Sequence, residues 1–169
     1  MALMKLFNKA WRTHIVTVSL LCYFPTQFAI ADEFKEKKST SLKQLVGTID
    51  KAKFLSHPAV RQFFQKLPAE DRVRLTSALA TTGVIESIGN HVLLRGIEPH
   101  MGGEREAAIC ASVSSAAIYA GSLVDGSIYV YSTVDEYTSL PDCIRMWISY
   151  VKSPARTAVP EGLKFVRMK

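Results

Sequence analysis

The chain has 169 residues and a formal net charge of +6, from 21 lysine and arginine residues against 15 aspartate and glutamate residues. Residues 1–31 hold three of the basic residues and none of the acidic ones, so residues 32–169 carry 18 basic against 15 acidic residues, a net charge of +3. So small an excess does not favour a nucleic-acid partner, and the length predicts one domain with a single core.

Residues 1–31 have the pattern of a secretory signal peptide. Basic residues precede an apolar run at 15–24, and a small-x-small cleavage site follows at Ala29-Ile-Ala31. We expect cleavage after Ala31, export to the periplasm and no stable membrane insertion, because the run is shorter than the roughly 20 residues that span a bilayer. The alternatives are an uncleaved anchor and a lipoprotein modified at Cys22, although a residue smaller than leucine is expected before such a cysteine.

Three helices are predicted in the first part of the remaining chain, over residues 41–54, 56–67 and 68–83. In each of them apolar residues recur with the three- and four-residue spacing of an amphipathic helix. Pro58 and Pro68 fit first helical turns, and Gly83 is a natural stop.

Residues 84–97 are compatible with two structures. Val-Ile-Glu-Ser-Ile and His-Val-Leu-Leu-Arg flank Gly89-Asn90, a pair that accepts the positive φ angles of a two-residue hairpin turn. The same residues could form a helix broken at Gly89. With either structure, residues 96–103 form a loop, because they contain a proline and three glycines.

Residues 104–124 are predicted to form a helix rich in small residues, with Cys110 at the edge of its apolar stripe. The stripe consists of Ile109, Val113, Ala116, Ala117, Ala120 and Val124. Asp125-Gly126 ends this helix. Residues 127–134 have the composition of a strand, with a continued helix as the alternative.

Two more helices are predicted before the C-terminus. Ser139-Leu-Pro-Asp142 resembles a capping box, and the helix that follows carries Cys143 beside its apolar face. A last short helix is predicted over residues 160–168.

Cys110 and Cys143 are the cysteines left after the signal peptide is removed. In an oxidising compartment such a pair most often forms a disulfide, here between two neighbouring helices, and two buried free thiols are the alternative. No histidine has metal-ligand spacing from either cysteine in the sequence, so we predict no metal site and no cofactor. The expected fold is mainly α, a small disulfide-stapled helical domain over 32–169, with or without one short β-hairpin.

The sequence contains no catalytic signature. Outside the signal peptide, the histidines are His57, His91 and His100, and none lies in an H-E-x-x-H frame. The nucleophile elbow G-x-S-x-G does not occur. His100 and Glu104 could touch a metal across the Gly-Gly pair, but a solvated loop is favoured. We therefore predict that the protein is not an enzyme and has no catalytic residues.

A protein-binding surface is predicted between the two cysteines, where tyrosines are mixed with carboxylates. The residues expected to contact a partner are Asp125, Tyr129, Tyr131, Asp135, Glu136 and Tyr137. A catalytic role for the carboxylates is the weaker alternative, since acidic residues between helices are usually only solvated.

A series of short motifs runs through residues 110–166. In order they are Cys110, Tyr119-Ala-Gly121, Asp125, Pro141-Asp-Cys143, Tyr150-Val-Lys152 and Pro154. This order resembles the Rap1a/Tai immunity proteins. The resemblance implies a small exported helical protein with a Cys110–Cys143 disulfide, which binds and blocks a peptidoglycan amidase delivered by type VI secretion. The alternative function is a structural or accessory component of an envelope secretion or conjugation apparatus.

Overall fold

The computed structural model describes residues 41–153 and 162–168. The predicted signal peptide and its cleavage site lie outside this range. Within it, no helix combines the length and the apolar character needed to cross a membrane.

The described residues form three layers, with a seven-stranded sheet between three helices on one face and a single helix on the other. The helices are α1 (Lys51–Ser56), α2 (Pro58–Lys66), α3 (Ala69–Ala78) and α4 (Asp142–Val151), with short 3-10 turns at Leu42–Leu45 and Tyr137–Ser139. The strands are β1 (Thr81–Thr82), β2 (Glu86–Ile88), β3 (His91–Ile97), β4 (Arg105–Ser112), β5 (Ile118–Val124), β6 (Ser127–Ser132) and β7 (Gly162–Arg167).

The sheet is antiparallel except at one edge. Its order is β1-β3-β4-β5-β6-β7, and β2 pairs with β3 on the same side as β1, so β1 and β2 form one interrupted edge strand. β7 runs parallel to β6, and the connection between them contains α4. As a result, the β3–β4 and β5–β6 connections lie at one end of the sheet, and the β2–β3 and β4–β5 connections lie at the other.

Both faces of the sheet are covered by helices. Successive side chains of a strand point to opposite faces, so Val92 and Leu94 pack in the layer of α1, α2 and α3, whereas Leu93 and Cys110 pack against α4. A central strand in such a sheet has no solvent face, and seven of the eight residues of β4 are buried.

The prediction of a mainly α fold is wrong. Residues 104–124, expected to form one helix, are β4, a serine-rich connection and β5, and residues 162–167 form β7 instead of a last helix. The physical reason is burial on both faces, because it removes the polar-apolar alternation by which a strand is recognised. The small apolar residues of β4 and β5 then fit a helical spacing as well as a strand.

The hairpin alternative for residues 84–97 is confirmed. β2 and β3 pair antiparallel around Gly89-Asn90, and Gly89 has a φ of +55°. Asp125-Gly126, expected to end a helix, forms a second two-residue turn with φ angles of +48° and +76° and joins β5 to β6. Residues 127–132 are a strand, as their composition predicted.

The helix predictions were right in part. The segment 56–67 contains α2, and a helix does follow Pro141, although Ser139 lies in the preceding 3-10 turn and does not cap it. The segment 68–83 is helical only to Ala78. The segment 41–54 forms a 3-10 turn and the beginning of α1.

A disulfide joins Cys110 to Cys143, whose Cα atoms are 6.2 Å apart. Both cysteines are fully buried. The pairing is the one expected, but its structural context is not, because Cys110 lies on β4 and the bond therefore ties α4 to the middle of the sheet instead of clamping two helices together.

Two glycines allow the helices to approach the sheet closely, one on each face. A Cβ atom at Gly121 would lie 2.2 Å from Cζ3 of Trp147, so the indole ring occupies the space that a side chain would need. On the other face, a Cβ atom at Gly96 would lie 2.9 Å from the Cα of Leu79, just after α3.

We expect Gly121→Ala to lower the free energy of unfolding by about 1–3 kcal/mol, because the buried indole of Trp147 cannot move aside without disturbing α4. The matched control is Gly83→Ala, since nothing lies within 4 Å of a Cβ atom at Gly83. Chemical denaturation of both variants measures the difference, and equal stabilities would contradict this account of the packing.

Loss of the disulfide should lower the free energy of unfolding by about 3–4 kcal/mol, because the reduced unfolded chain regains the entropy of a 33-residue loop. Denaturation of the native protein with and without a reductant measures this loss. A Cys110→Ser, Cys143→Ser double variant should show no further response to the reductant. Mass spectrometry of the exported protein should give the mass of a chain that begins at Asp32 and lacks two hydrogens.

Acid should destabilise the protein through two histidines. Burial lowers the pKa of His57 and of His91, although the charge of Asp142 opposes the shift at His91. In the unfolded chain the histidines have a pKa of about 6.5, so the unfolded chain binds protons more readily than the folded protein. Their contribution to stability is complete above that pH and is lost as the pH falls through about 6.5 toward the lower pKa values of the folded state.

Melting temperatures between about pH 7.5 and pH 5 test this expectation. A His57→Gln, His91→Gln double variant should lose less stability over the interval than the native protein. Identical losses would show that these histidines do not carry the effect.

Candidate functional site

The connection between β3 and β4, residues 98–104, is the longer of the two hairpin connections at its end of the sheet; the other is the two-residue turn Asp125-Gly126. We call residues 98–104 the β3–β4 loop. Pro99 and His100 are exposed at its tip. The loop therefore presents an imidazole to solvent.

The tip of the β3–β4 loop is a type II turn. The N–H of Met101 donates to the carbonyl oxygen of Glu98 at 3.0 Å, which closes a four-residue turn. The ring of Pro99 holds its φ near about −65°, and His100 has a φ of +63°. Glycine or asparagine is usual at this third position of a type II turn. Left-handed backbone costs an ordinary residue about 1–2 kcal/mol, so His100 stands where glycine would be less strained.

Strand alternation splits the base of the loop between the two faces of the sheet. Glu98 and Arg105 point to the α3 face, where Nη1 of Arg105 donates to Oε2 of Glu98 at 3.4 Å. Nε of Arg105 lies 3.8 Å from Oδ1 of Asp125, in the neighbouring turn. The N–H of Glu98 also donates to the carbonyl oxygen of Arg105 at 3.0 Å. These contacts join the loop to the β5–β6 turn.

A buried carboxylate holds the loop from the α4 face. Glu106 is only 5% exposed, and its Oε1 accepts a hydrogen bond from the backbone N–H of Gly103 at 2.9 Å. The N–H of Arg105 donates to the carbonyl oxygen of Met101 at 2.9 Å. The loop is thus fixed at its base on both sides and ordered by hydrogen bonds of its own.

The six residues predicted to contact a partner do not form one patch. Asp125 lies in the β5–β6 turn, beside the base of the β3–β4 loop. Asp135, Glu136 and Tyr137 are exposed just after β6, at the opposite end of the sheet. The six residues of β6 separate the two groups by about 20 Å. Contact of these residues with a partner stays a prediction.

The two tyrosines of that set that belong to β6 face the helical layer of α3. Tyr131 is fully buried, and its hydroxyl donates to Oδ1 of Asp71 at 3.0 Å. Arg74 pairs with the same carboxylate, and its guanidinium carbon lies 4.4 Å from the centre of the half-buried ring of Tyr129. Burial raises the pKa of Tyr131. This network fastens α3 to the sheet and leaves no surface on Tyr131 for a partner.

One group of possible metal ligands occurs among the described residues. His91, Cys110 and Cys143 each place a ligand atom within 4.8 Å of the others. Sequence spacing did not reveal this proximity, because His91 and Cys110 are brought together by the pairing of β3 with β4. The two sulfur atoms are joined to each other in the disulfide, so neither is a thiolate that could bind a metal.

The sequence pattern did not indicate a binding role for His100. Pro99-His100 within a glycine-rich loop was interpreted as solvated, and the exposure agrees. Pro99 indicates the second position of a turn. The sequence does not show the positive φ of His100, since a type I turn accepts the same residues.

A family model matches residues 59–154, and its description is inhibitor of vertebrate lysozyme (Ivy). The matched range runs from α2 through α4 and includes both cysteines and the β3–β4 loop. Comparison with curated proteins and with solved structures gave no match. The resemblance to the Rap1a/Tai proteins is not confirmed, but the expectation of an exported protein that blocks an enzyme agrees with the family. Because the match covers more than half of the 169 residues, the chain belongs to the inhibitor of vertebrate lysozyme family, a family of periplasmic protein inhibitors.

Proposed function

We propose that this protein is exported to the periplasm and inhibits lysozyme-type glycosidases by inserting the β3–β4 loop into their catalytic cleft. The observation that carries the proposal is His100, exposed at the tip of the loop with a φ of +63°. A strained residue at an exposed position that glycine would fit better points to a function for its side chain. Membership of a family of lysozyme inhibitors supports the choice of target.

The chemistry of the target matches an imidazole. Lysozymes cleave a glycosidic bond between two carboxyl groups, of which one is protonated and the other ionised. A neutral imidazole has one N–H donor and one nitrogen acceptor. His100 can therefore donate to the ionised carboxylate and accept from the protonated carboxyl group at the same time. It is also the only side chain of residues 98–104 with an N–H group, since the others are glutamate, proline, methionine and glycine.

The loop is organised before binding. The type II turn, the pair of Glu98 with Arg105 and the bond from Gly103 to Glu106 fix its backbone in the free protein. Less conformational entropy is lost when a loop of this kind binds, and this loss is one of the main costs of association. A rigid loop that fills a cleft also excludes the substrate by simple occupation.

A peptidoglycan amidase of the toxin type, the target implied by the sequence resemblance, is the second enzyme to assay. No contact among residues 41–153 or 162–168 favours it over a glycosidase. The exposed group at Asp135, Glu136 and Tyr137 is the alternative contact surface, at the far end of the sheet from His100.

The test compares inhibition of a vertebrate lysozyme by the mature protein and by variants at His100. We expect His100→Ala to raise the Kd about ten- to a hundredfold, because two hydrogen bonds to carboxyl groups are lost. His100→Gly should bind as weakly, while its free energy of unfolding stays unchanged or rises by up to about 2 kcal/mol, because glycine relieves the strain. This opposite behaviour of binding and stability separates a binding role from a structural one.

Ser115→Ala is the matched control, since Ser115 is exposed in the β4–β5 connection at the opposite end of the sheet. Full inhibition by the His100→Gly variant would exclude the loop as the inhibitory element. Loss of inhibition with Tyr137→Ala instead would place the contact at the other end. Inhibition of the amidase but not of lysozyme would replace the proposed target.

A further inference from the structure

A cleft of about 380 Å³ lies on the α4 side of β3, beside Ile97, the residue that leads into the β3–β4 loop. We call it the edge cleft. Its walls include Gly83 and Val84 from the edge strand, Arg95 and Ile97 from β3, and Trp147 and Tyr150 from α4.

The edge cleft exists because the edge strand is interrupted. After Gly83, whose N–H donates to the carbonyl oxygen of Arg95 at 3.2 Å, the chain leaves β3. Ile85 turns inward, is fully buried, and its N–H donates to the carbonyl oxygen of Thr48 at 2.8 Å. Between them Val84 faces solvent, with 49% of its surface exposed. The space between this bend and α4 is the cleft.

The lining of the edge cleft combines exposed apolar side chains with a neutralised ion pair. Val84, Ile97 and Tyr150 are 49%, 41% and 52% exposed. Arg95 pairs with Glu86, and its guanidinium carbon lies 5.9 Å from the centre of the Tyr150 ring. Trp, Tyr and Arg are the residues most enriched at the energetic centres of protein interfaces. Arg95 and Glu86 are paired with each other, and Glu106, the third charged lining residue, is only 5% exposed. An apolar partner group therefore suits the cleft better than a charged one.

The edge cleft lies next to the base of the β3–β4 loop, although none of residues 98–104 lines it. Ile97 immediately precedes the loop, and Glu106, which holds Gly103 of the loop, also lines the cleft. When the loop enters the catalytic cleft of an enzyme, residues at the rim of that enzyme's cleft come to lie beside the base of the loop. On the α4 side, the surface of this protein beside the base of the loop is the edge cleft.

Resting on the proposed function, we propose that the edge cleft binds an apolar side chain on the rim of the target's catalytic cleft while the β3–β4 loop occupies the cleft itself. Its volume lies near the lower limit of small-molecule sites, which suits one large side chain. Val84, Ile97 and Tyr150 are then specificity-determining residues, because they decide which rim residue is accepted.

A matched pair of variants on α4 tests this inference. Tyr150 and Met146 are similarly exposed, at 52% and 56%, but Met146 does not line the edge cleft. With a vertebrate lysozyme and the full mature chain, we expect Tyr150→Ala to raise the Kd at least tenfold and Met146→Ala to leave it within twofold. Val84→Asp, at a residue that is 49% exposed, should weaken binding by a similar factor.

The outcomes separate this inference from the proposed function. In one outcome, the native protein binds lysozyme, His100→Gly weakens binding, and Tyr150→Ala and Val84→Asp bind as the native protein does. This outcome would show that the edge cleft has no role in binding, while the proposed role of the loop would be retained. Tighter binding of Val84→Asp would show that the occupant is cationic and overturn the apolar assignment. Failure of the native protein to bind lysozyme at all would overturn both.

Discussion

The contact of Trp147 with Gly121, next to the Cys110–Cys143 disulfide, holds α4 against the centre of the sheet. A helix with a single covalent tie could still pivot about it, but the indole ring fills the space above a residue without a side chain and leaves no room for rotation. This arrangement closes the second face of the sheet. It also sets the position of Tyr150, one turn of helix beyond Trp147, and so shapes the outer wall of the edge cleft.

The opposite helical layer acts on the same strand. Gly96 lets the chain just after α3 approach β3 to within van der Waals contact, one residue before Ile97 and two before the β3–β4 loop begins. The strand that leads into the loop is therefore packed between two helical layers. A strained turn such as that at His100 persists only where its surroundings determine the backbone. The packing of α3 and α4 on β3 fixes the backbone where the loop begins, so the geometry of the loop depends on the packing of the core.

The parts of this fold that the sequence could predict are those specified locally. Gly89-Asn90 indicated a hairpin, because the turn needs a positive φ at its first residue, which glycine adopts readily. The apolar stripe of α2 could be recognised in the sequence because the opposite face of the helix is exposed to solvent. β4 and β5 could not be recognised as strands, since a strand covered on both faces lacks the alternation of polar and apolar residues that distinguishes it from a helix. The burial of Tyr131 could not be predicted for a related reason. The direction of its side chain depends on which face of β6 it occupies, and the pairing of β6 with other strands sets that face.

His100 shows where local and global requirements conflict. For folding alone, glycine is the better residue at the third position of this turn, because it adopts a positive φ without strain. Glycine, however, would leave the tip of the loop with no side chain that can both donate and accept a hydrogen bond. Hydrogen bonds at the base of the loop hold its backbone, including the bond from the N–H of Gly103 to the buried carboxylate of Glu106. A residue that is unfavourable for its own turn, in a loop fixed at its base, is the arrangement expected of a loop that binds rather than one that only connects.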